Sequence, residues 1–267
     1  MLRVYVADLE LHGVLLFATE QRPSLSEEGG PLIVTGHIIH NYPLIYGLLG
    51  RNVEAYAVIP ALHFLYYEHL RESRFAPKIA REPLHYGTVE EQLKNLAAKG
   101  RALYAFPAFP LKVTTKKFFM QAQGSGYAEA RGALKVVYPR LEHYVAIIPP
   151  SSFRTVVLTH NVELPAVLYI RIGMKRMGLF KVYLREANIV RKVDRSSRST
   201  IPVNLYDATV FGYAIEDAVK LLETRSKPPS KALSSIIGYI RARNLFEIRS
   251  GGDTYLVPLP LKVVEGS

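Results

Sequence analysis

Two segments in the middle of the chain alternate apolar and polar residues with the period of two that is typical of β-strands. They span residues 167–172 and 180–185, and the glycine-bounded loop between them contains the cations Lys175 and Arg176. If the strands pair, their polar faces form one surface that carries Tyr169, Arg171, Lys181, Tyr183 and Arg185. Cations neutralise phosphates and tyrosine rings stack on unpaired bases, which indicates a surface for single-stranded nucleic acid. The solvated outer face of an ordinary hairpin would show the same pattern.

The remaining pattern predicts further strands and a few helices. Residues 2–12 are rich in β-formers and predict an interior strand, and short strands separated by turn residues follow between about residues 103 and 190. Residues 245–257 predict a hairpin that turns at the Ser-Gly-Gly-Asp segment 250–253. Antiparallel strands mixed with a few helices indicate an α+β fold rather than a doubly wound parallel sheet.

Caps and apolar stripes predict four helices. Asn41 or Tyr42 caps the first, and a capping box that begins at Thr88 opens the second. Isoleucine and leucine residues at helical spacing after Ser230 mark the fourth. The predicted helices cover residues 41–49, 88–100, about 210–223, and 230–240. Residues 53–81 have no clear period and are left unassigned.

The composition favours a polyanionic partner. The 267 residues include 34 Lys and Arg against 23 Asp and Glu, which gives a formal net charge of +11 and a pI near 9.7. Such a charge is the electrostatic footprint of nucleic-acid binding. The absence of cysteine excludes disulfides, thiolate-zinc sites and cysteine nucleophiles, and it fits a protein from a thermophile. No apolar run approaches the ~18 residues of a membrane span, so we expect a cytoplasmic protein that contacts no membrane.

The motifs for common catalytic chemistries are missing from the sequence. It contains no HExxH, EF-hand, GxSxG, Walker or GxGxxG pattern, so we expect no catalytic residues, no cofactor and no metal. A metal-independent ribonuclease needs only a few acid–base groups near one phosphate, and such groups have no spacing signature. His40, Tyr42 and Lys117 could supply them, so this alternative stays open.

Several segments occur in the order found in one protein family. They are YVADLELH (5–12) with LFAT (16–19), IHNYPL (39–44), YAFPAFPLKV (104–113), IRIGMKR (170–176) and PVNLYD (202–207). Together they resemble the Cas-five subunit of type I-D CRISPR interference complexes, also called Csc-one, of the repeat-associated RAMP superfamily. The resemblance covers residues 4 to 207.

The resemblance implies a ferredoxin-like, RRM-like antiparallel sheet with an extruded thumb hairpin. On this basis residues 1–207 form the RAMP-type domain with the thumb at about 105–140. Residues 208–267 form a C-terminal helix–hairpin extension packed on the same domain.

The implied function is a non-catalytic RNA-binding subunit of a Cascade-like complex in antiviral defence. The subunit would hold the 5′ repeat-derived handle of CRISPR RNA beside Cas-seven-type backbone subunits and a Cas-ten-type large subunit, and target DNA is a further candidate partner. In type I-D systems precursor cleavage is assigned to a separate Cas-six protein, so the resemblance implies that this subunit is not an enzyme.

The residues expected to contact RNA come from two parts of the chain. In the strand pair they are the phosphate contacts Arg171, Lys175, Arg176 and Lys181 and the stacking residues Tyr169 and Tyr183. Elsewhere they are Lys112, Lys116 and Lys117, which follow the proline-rich segment, and His40, for which helix capping is an equally good interpretation. Two other functions remain as alternatives: a metal-independent endoribonuclease that processes CRISPR RNA, and a winged-helix DNA-binding protein built from the C-terminal segment.

Overall fold

The computed structural model describes residues 1–16, 24–25, 31–49, 92–122, 140–173, 177–223 and 236–264. The strands are β1 (Leu2–Leu11), β2 (Ser24–Leu25), β3 (Pro31–Val34), β4 (Ala102–Ala105), β5 (Phe109–Ala122), β6 (Arg140–His160), β7 (Val167–Ile172), β8 (Gly178–Val193), β9 (Ser197–Arg198), β10 (Val203–Asn204), β11 (Asp217–Glu223), β12 (Ile236–Ala242), β13 (Leu245–Ser250) and β14 (Asp253–Val257). The helices are α1 (Asn41–Leu49), α2 (residues 92–97), α3 (Leu205–Val210) and α4 (Leu261–Val264).

The central sheet is built around β1, which pairs antiparallel with β6 on one side and β8 on the other. β7 extends the sheet beyond β8, and β4 with the start of β5 extends it beyond β6. The side chains of Val4 to Ala7 are buried on both faces of the sheet, as expected of an interior strand. The predicted interior strand is confirmed, and so is the predicted pairing of the strands at 167–172 and 180–185. In the structure residues 167–172 pair with residues 178–183.

Beyond the central sheet, β5 and β6 remain paired as a long hairpin. The pairing continues from Thr114 opposite Ile148 to Ala122 opposite Arg140, and β3 lies parallel to β6 along part of it. Residues 123–139 lie outside the described residues. The β5 strand of this hairpin lies within the predicted thumb segment at about 105–140, whereas its β6 strand begins at Arg140 and lies beyond that segment.

The C-terminal part of the chain adds to the central sheet and forms a second, smaller sheet. β13 pairs with the distal half of β8 and with β14, which confirms the predicted hairpin with its turn at Gly251 and Gly252. The second sheet has the order β10–β12–β11, with β9 beside β12. Antiparallel strands dominate both sheets and helices are few, which is compatible with the α+β class.

The hydrophobic core contains buried residues from both faces of the central sheet, from α1 and from the second sheet. Phe153 and Phe180 contact each other edge to face at 6.0 Å between ring centroids. α1 packs closely on β7, because Gly47 has no side chain to separate it from Ile170 and Ile172. The outer face of the sheet, opposite α1, is apolar and buried at Val4 and Val6 and becomes polar further along β1, at Asp8 and Glu10.

Two of the four predicted helices are wrong. Residues 217–223 form β11 and residues 236–242 form β12, so the helical spacing of Ile236, Ile237 and Ile240 does not mark a helix there. β-branched isoleucines favour a strand that is packed on both sides. α1 matches its prediction. Of the predicted helix at 88–100 the described residues show 92–97 as helical, and residues 53–81 and 224–235 lie outside the described residues.

Candidate nucleic-acid interface

A row of side chains crosses the outer face of the central sheet over five strands. Lys112 lies opposite Ser152, which lies opposite Glu10 on β1. On the other side of β1, Glu10 lies opposite Lys181, and Lys181 lies opposite Tyr169. Neighbouring strands are about 4.8 Å apart, so the row is roughly 19 Å long. The register thus brings Lys112, predicted from a different segment, onto the surface of the strand pair.

A second row lies beside the first and has a negative charge at its centre. Asp8 on β1 lies between Arg154 on β6 and Tyr183 on β8, and Tyr183 lies opposite Val167. The carboxylate of Asp8 accepts from Arg154 Nε at 2.5 Å and from Arg185 Nη2 at 2.9 Å. Arg185 therefore lies on the predicted face, but its charge is largely balanced within the protein.

Arg154 also connects this row to the C-terminal hairpin. Its Nη1 donates to Asp253 Oδ2 at 3.0 Å and to the Tyr255 hydroxyl at 2.8 Å. The hydrogen bond to Asp8 is the main cause that raises the pKa of the Arg154 guanidinium, and Tyr255 raises it further, so Arg154 stays charged. The turn of the β13–β14 hairpin is thereby held at one border of the outer face.

Lys181 and Tyr183 form a local pair on the exposed surface. Lys181 Nζ lies 4.8 Å from the ring centroid of Tyr183, and a hydrogen bond to Tyr183 raises the pKa of Lys181. The Tyr183 hydroxyl donates to Glu10 Oε2 at 3.2 Å. Tyr169 is 63% exposed. Of the two residues predicted to stack on bases, Tyr169 therefore has the more exposed ring.

Of the three other cations predicted to contact RNA from the strand pair, the structure describes one, Arg171. Arg171 is exposed on the same face of β7 as Tyr169, and its side chain has no hydrogen bond or ion pair with the described residues. Its guanidinium is thus free to bind an anion. Lys175 and Arg176 lie outside the described residues.

The three lysines after the proline-rich segment do not share one surface. Lys112 belongs to the row on the outer face, whereas Lys116 and Lys117 lie on the β5–β6 hairpin beyond the sheet. Adjacent residues of a strand point to opposite faces, so Lys116 and Lys117 are on opposite sides of this hairpin. Lys116 Nζ lies 5.6 Å from the ring centroid of Phe118.

The ring of His40 lies against Tyr42 at the start of α1. Its Nδ1 accepts a hydrogen bond from the backbone N–H of Tyr42 at 3.2 Å, and the two rings are 4.5 Å apart. Burial lowers the pKa of His40 to about 3. His40 is therefore neutral at physiological pH and brings no positive charge to a phosphate.

A buried polar network lies next to His40, and sequence reasoning missed it. Asp207 Oδ2 accepts from the Tyr104 hydroxyl at 2.6 Å and from Asn41 Nδ2 at 2.7 Å, while Asn204 Nδ2 donates to the Tyr42 hydroxyl at 3.3 Å. The network joins segments 39–44, 104–113 and 202–207. The signal in the sequence is the polar residues within these largely apolar segments, and their role here is to hold the segments together.

Of the groups considered for ribonuclease chemistry, His40 and Tyr42 lie together and Lys117 lies apart from them. The bridge between Ile39 and Ala108 places His40 near the start of β5, and Lys117 lies nine residues further along the chain. At about 3.4 Å per residue the strand separates the two by roughly 25–30 Å. They cannot act on the same phosphate. Within the described ranges no group of three or more His, Asp or Glu side chains could hold a metal ion.

These features define a strand-rich protein with an exposed sheet face of cations and tyrosines. The family "Type I-D CRISPR-associated protein Cas5/Csc1" matches residues 2–255, so the chain belongs to this family and to a CRISPR system of type I-D. The resemblance inferred from the sequence is confirmed. A search of curated proteins finds no match. In the part of the chain that is described, no helix is both long and apolar enough to cross a membrane.

Proposed function

We propose that this chain is a non-catalytic RNA-binding subunit of a type I-D Cascade-like complex and that it holds the 5′ repeat-derived end of CRISPR RNA. The observation that carries the proposal is the row of Lys112, Lys181 and Tyr169 on the outer face of the central sheet. An antiparallel sheet that combines exposed aromatic rings with cations binds single-stranded RNA through stacking and phosphate contacts.

The strand order supports a ferredoxin-like, RRM-like core. Taken as the four core strands, β1, β4, β6 and β8 lie in the order β8–β1–β6–β4, all antiparallel neighbours, and α1 and α2 lie between the first two in the chain. This is the arrangement of a β-α-β-β-α-β unit. The second helix of such a unit follows its third strand in the chain, and β7 occupies that position here. The β5–β6 hairpin is the thumb in this proposal.

The proposed subunit bridges Cas-seven-type backbone subunits and the Cas-ten-type large subunit in the cytoplasm. Family membership supports association with a CRISPR effector complex. Exposed apolar side chains outside the row, among them Val210, Val219 and Leu221, are 41–47% exposed and offer surface for neighbouring subunits. The separation of His40 from Lys117 and the neutral state of His40 support a binding role over a nuclease role.

A salt titration with RNA that carries the 5′ repeat tag tests the proposal. Substituting Lys112, Arg171 and Lys181 by Ala removes three phosphate contacts. For single strands each phosphate contact contributes about 0.7 to the slope of log affinity against log salt concentration, so the magnitude of this slope should fall by about 2. Substituting Tyr169 and Tyr183 by Ala should cost roughly 1–3 kcal/mol per lost stack with little change in slope.

A matched control removes three exposed cations elsewhere, namely Lys94→Ala, Arg101→Ala and Lys262→Ala, and should leave the slope near that of the unmodified protein. Circular dichroism confirms folding of each variant. An unchanged slope in the Lys112/Arg171/Lys181 variant would overturn the proposed face.

Gel analysis of the same RNA, incubated with the protein without metal, should show the RNA intact. A discrete product that disappears on mutation of His40 or Tyr42 would favour the nuclease alternative.

A further inference from the structure

A second basic surface lies where the two sheets meet. Residues 188–193 pair with 245–249 in the large sheet, and residues 197–198 pair with 241–242 in the small sheet. The two chain segments therefore pass from one sheet to the other side by side. They turn the corner at residues 194–196 and 243–244, where the Asn244 N–H donates to the Val193 carbonyl at 3.0 Å. We call residues 188–198 and 241–249 the bent ribbon.

The bent ribbon has a strong excess of positive charge on its surface. Its cations are all exposed: Arg191, Lys192, Arg195, Arg198, Arg241, Arg243 and Arg249. The ribbon itself contains two carboxylates, Asp194 and Glu247, and its net charge is still +3 when the neighbouring Glu216 and Asp217 are included. Six of the seven cations are arginines, whose planar guanidinium groups bind phosphate oxygens in pairs.

Within the ribbon the charges are only partly compensated. Arg241 lies directly between Arg198 on β9 and Asp217 on β11. Asp217 makes a long contact of 3.8 Å with Arg198, while the side chains of Arg241 and Arg195 have no hydrogen bond or ion pair with the described residues. Like charges directly opposite each other on neighbouring strands are destabilising. An anion bound between Arg198 and Arg241 would remove this repulsion.

The ribbon differs from the outer face of the central sheet in having no exposed aromatic side chain. Phe246, its one aromatic residue, is buried. Without a ring on which a base can stack, the surface can contact sugar–phosphate backbone but has no means of holding unpaired bases. From Arg191 to Arg198 the chain extends at most about 23–25 Å. At 3.4 Å per base pair this corresponds to at most about seven base pairs of a duplex.

We propose that the bent ribbon is a second nucleic-acid site, which binds the sugar–phosphate backbone of double-helical DNA. The site is separate in the fold from the row of Lys112, Lys181 and Tyr169. It goes beyond the RNA-binding function proposed above and does not depend on it. Backbone contacts of this kind position a duplex without reading its sequence.

The test compares binding of a 20-base-pair DNA duplex and of single-stranded repeat-tag RNA by the full chain at several salt concentrations. The ribbon variant carries Arg195→Gln, Arg198→Gln and Arg241→Gln. Each phosphate contact on B-DNA contributes about 0.9 to the slope of log affinity against log salt concentration. The loss of three contacts should therefore reduce this slope for the duplex by about 2.7. The slope of the ribbon variant on the RNA should not change. The control variant, with Lys94→Gln, Arg101→Gln and Lys262→Gln, loses the same charge and should keep both slopes.

Each other outcome overturns the proposal. Failure of the full chain to bind the duplex, or an unchanged duplex slope in the ribbon variant, removes the site. An equal loss in the control variant means that net charge alone drives binding. An equal loss on RNA makes the ribbon part of the RNA surface. If the RNA-binding proposal is wrong, the unmodified protein itself will fail to bind the RNA. That result differs from failure of the ribbon proposal, which would appear in the measurements on the DNA duplex.

Discussion

At the scale of single residues, the fold changes the chemistry of Asp207 most clearly. Its carboxyl group is fully buried, and Oδ1 has no hydrogen-bond partner in the described residues, while Tyr104 and Asn41 donate to Oδ2. Burial raises the pKa of Asp207 to about 6, although these two hydrogen bonds act to lower it. A buried carboxylate with one unsatisfied oxygen is costly. The protein therefore becomes less stable when this group ionises.

We expect this cost to appear in the pH dependence of stability. The carboxyl ionises near pH 4 in the unfolded chain and at about pH 6 in the folded protein. Between these values the folded state binds more protons, so the contribution of Asp207 to the free energy of unfolding falls as the pH rises, by about 3 kcal/mol in total. It becomes constant about one pH unit above the folded-state pKa. The asparagine in Asp207→Asn cannot ionise, so the variant lacks this pH-dependent contribution to the free energy of unfolding. Thermal unfolding from pH 4 to 7 should show the stability difference between the two proteins changing below pH 6.

The control for this prediction is Asp217→Asn, since the Asp217 side chain is 61% exposed. Its unfolding profile should run parallel to that of the unmodified protein between pH 4 and 6. Parallel profiles for Asp207→Asn as well would show that the buried carboxyl has an ordinary pKa.

At the scale of elements, β12 organises the second sheet because β9, β10 and β11 all pair with it. Gly238 in its middle lies opposite Val203 on one side and Lys220 on the other. A Cβ atom at position 238 would lie 2.4 Å from the carbonyl oxygen of Val219, a backbone atom that cannot move without disturbing the strand pairing. The close contact requires glycine here.

Gly238→Ala should therefore destabilise the protein by about 1–3 kcal/mol, the usual cost of overpacking. Chemical denaturation measures the loss, and hydrogen exchange should quicken for the amides of β11 and β12. Gly100→Ala is the matched control, because a Cβ there would meet its nearest atom at 3.4 Å, and we expect a change within about 0.5 kcal/mol. Equal stability of the two variants would refute the steric argument.

At the scale of the whole molecule, Arg154 connects parts of the chain that are far apart in sequence. From the middle strand β6 it binds Asp8 near the N-terminus and Asp253 and Tyr255 near the C-terminus. Its side chain is 19% exposed, which reduces screening by solvent. The ion pairs thus hold the C-terminal hairpin against the sheet.

Arg154→Gln should lower the free energy of unfolding by about 1–3 kcal/mol, since two carboxylates and a hydroxyl lose a charged donor and Asp8 retains Arg185. Equilibrium denaturation in urea checks this value. Arg3→Gln breaks the ion pair with Glu163, whose side chain is 75% exposed. Such surface pairs contribute about 0–1 kcal/mol. If Arg3→Gln proved as costly as Arg154→Gln, the connecting role of Arg154 would be wrong.

The sequence by itself determined the local structure of the strand pair and the family. An alternation of apolar and polar residues defines the two faces of a strand whatever it pairs with, so Tyr169, Arg171, Lys181 and Tyr183 could be placed on one surface in advance. The terminal hairpin was equally predictable, because its turn residues adopt the positive φ that glycine allows. These features depend on neighbours close in sequence.

Only the tertiary structure decided which of the cations are free and which strands meet. Arg185 looks like Lys181 in the sequence, but Asp8, far away in the chain, balances its charge. The register alone separates Lys112 from Lys116 and Lys117, and pairing with distant strands makes β12 a strand despite its helical spacing. Electrostatic pairing and strand register arise from contacts between residues that are tens of positions apart, and 177 positions apart for Asp8 and Arg185. A local pattern contains no information about such contacts.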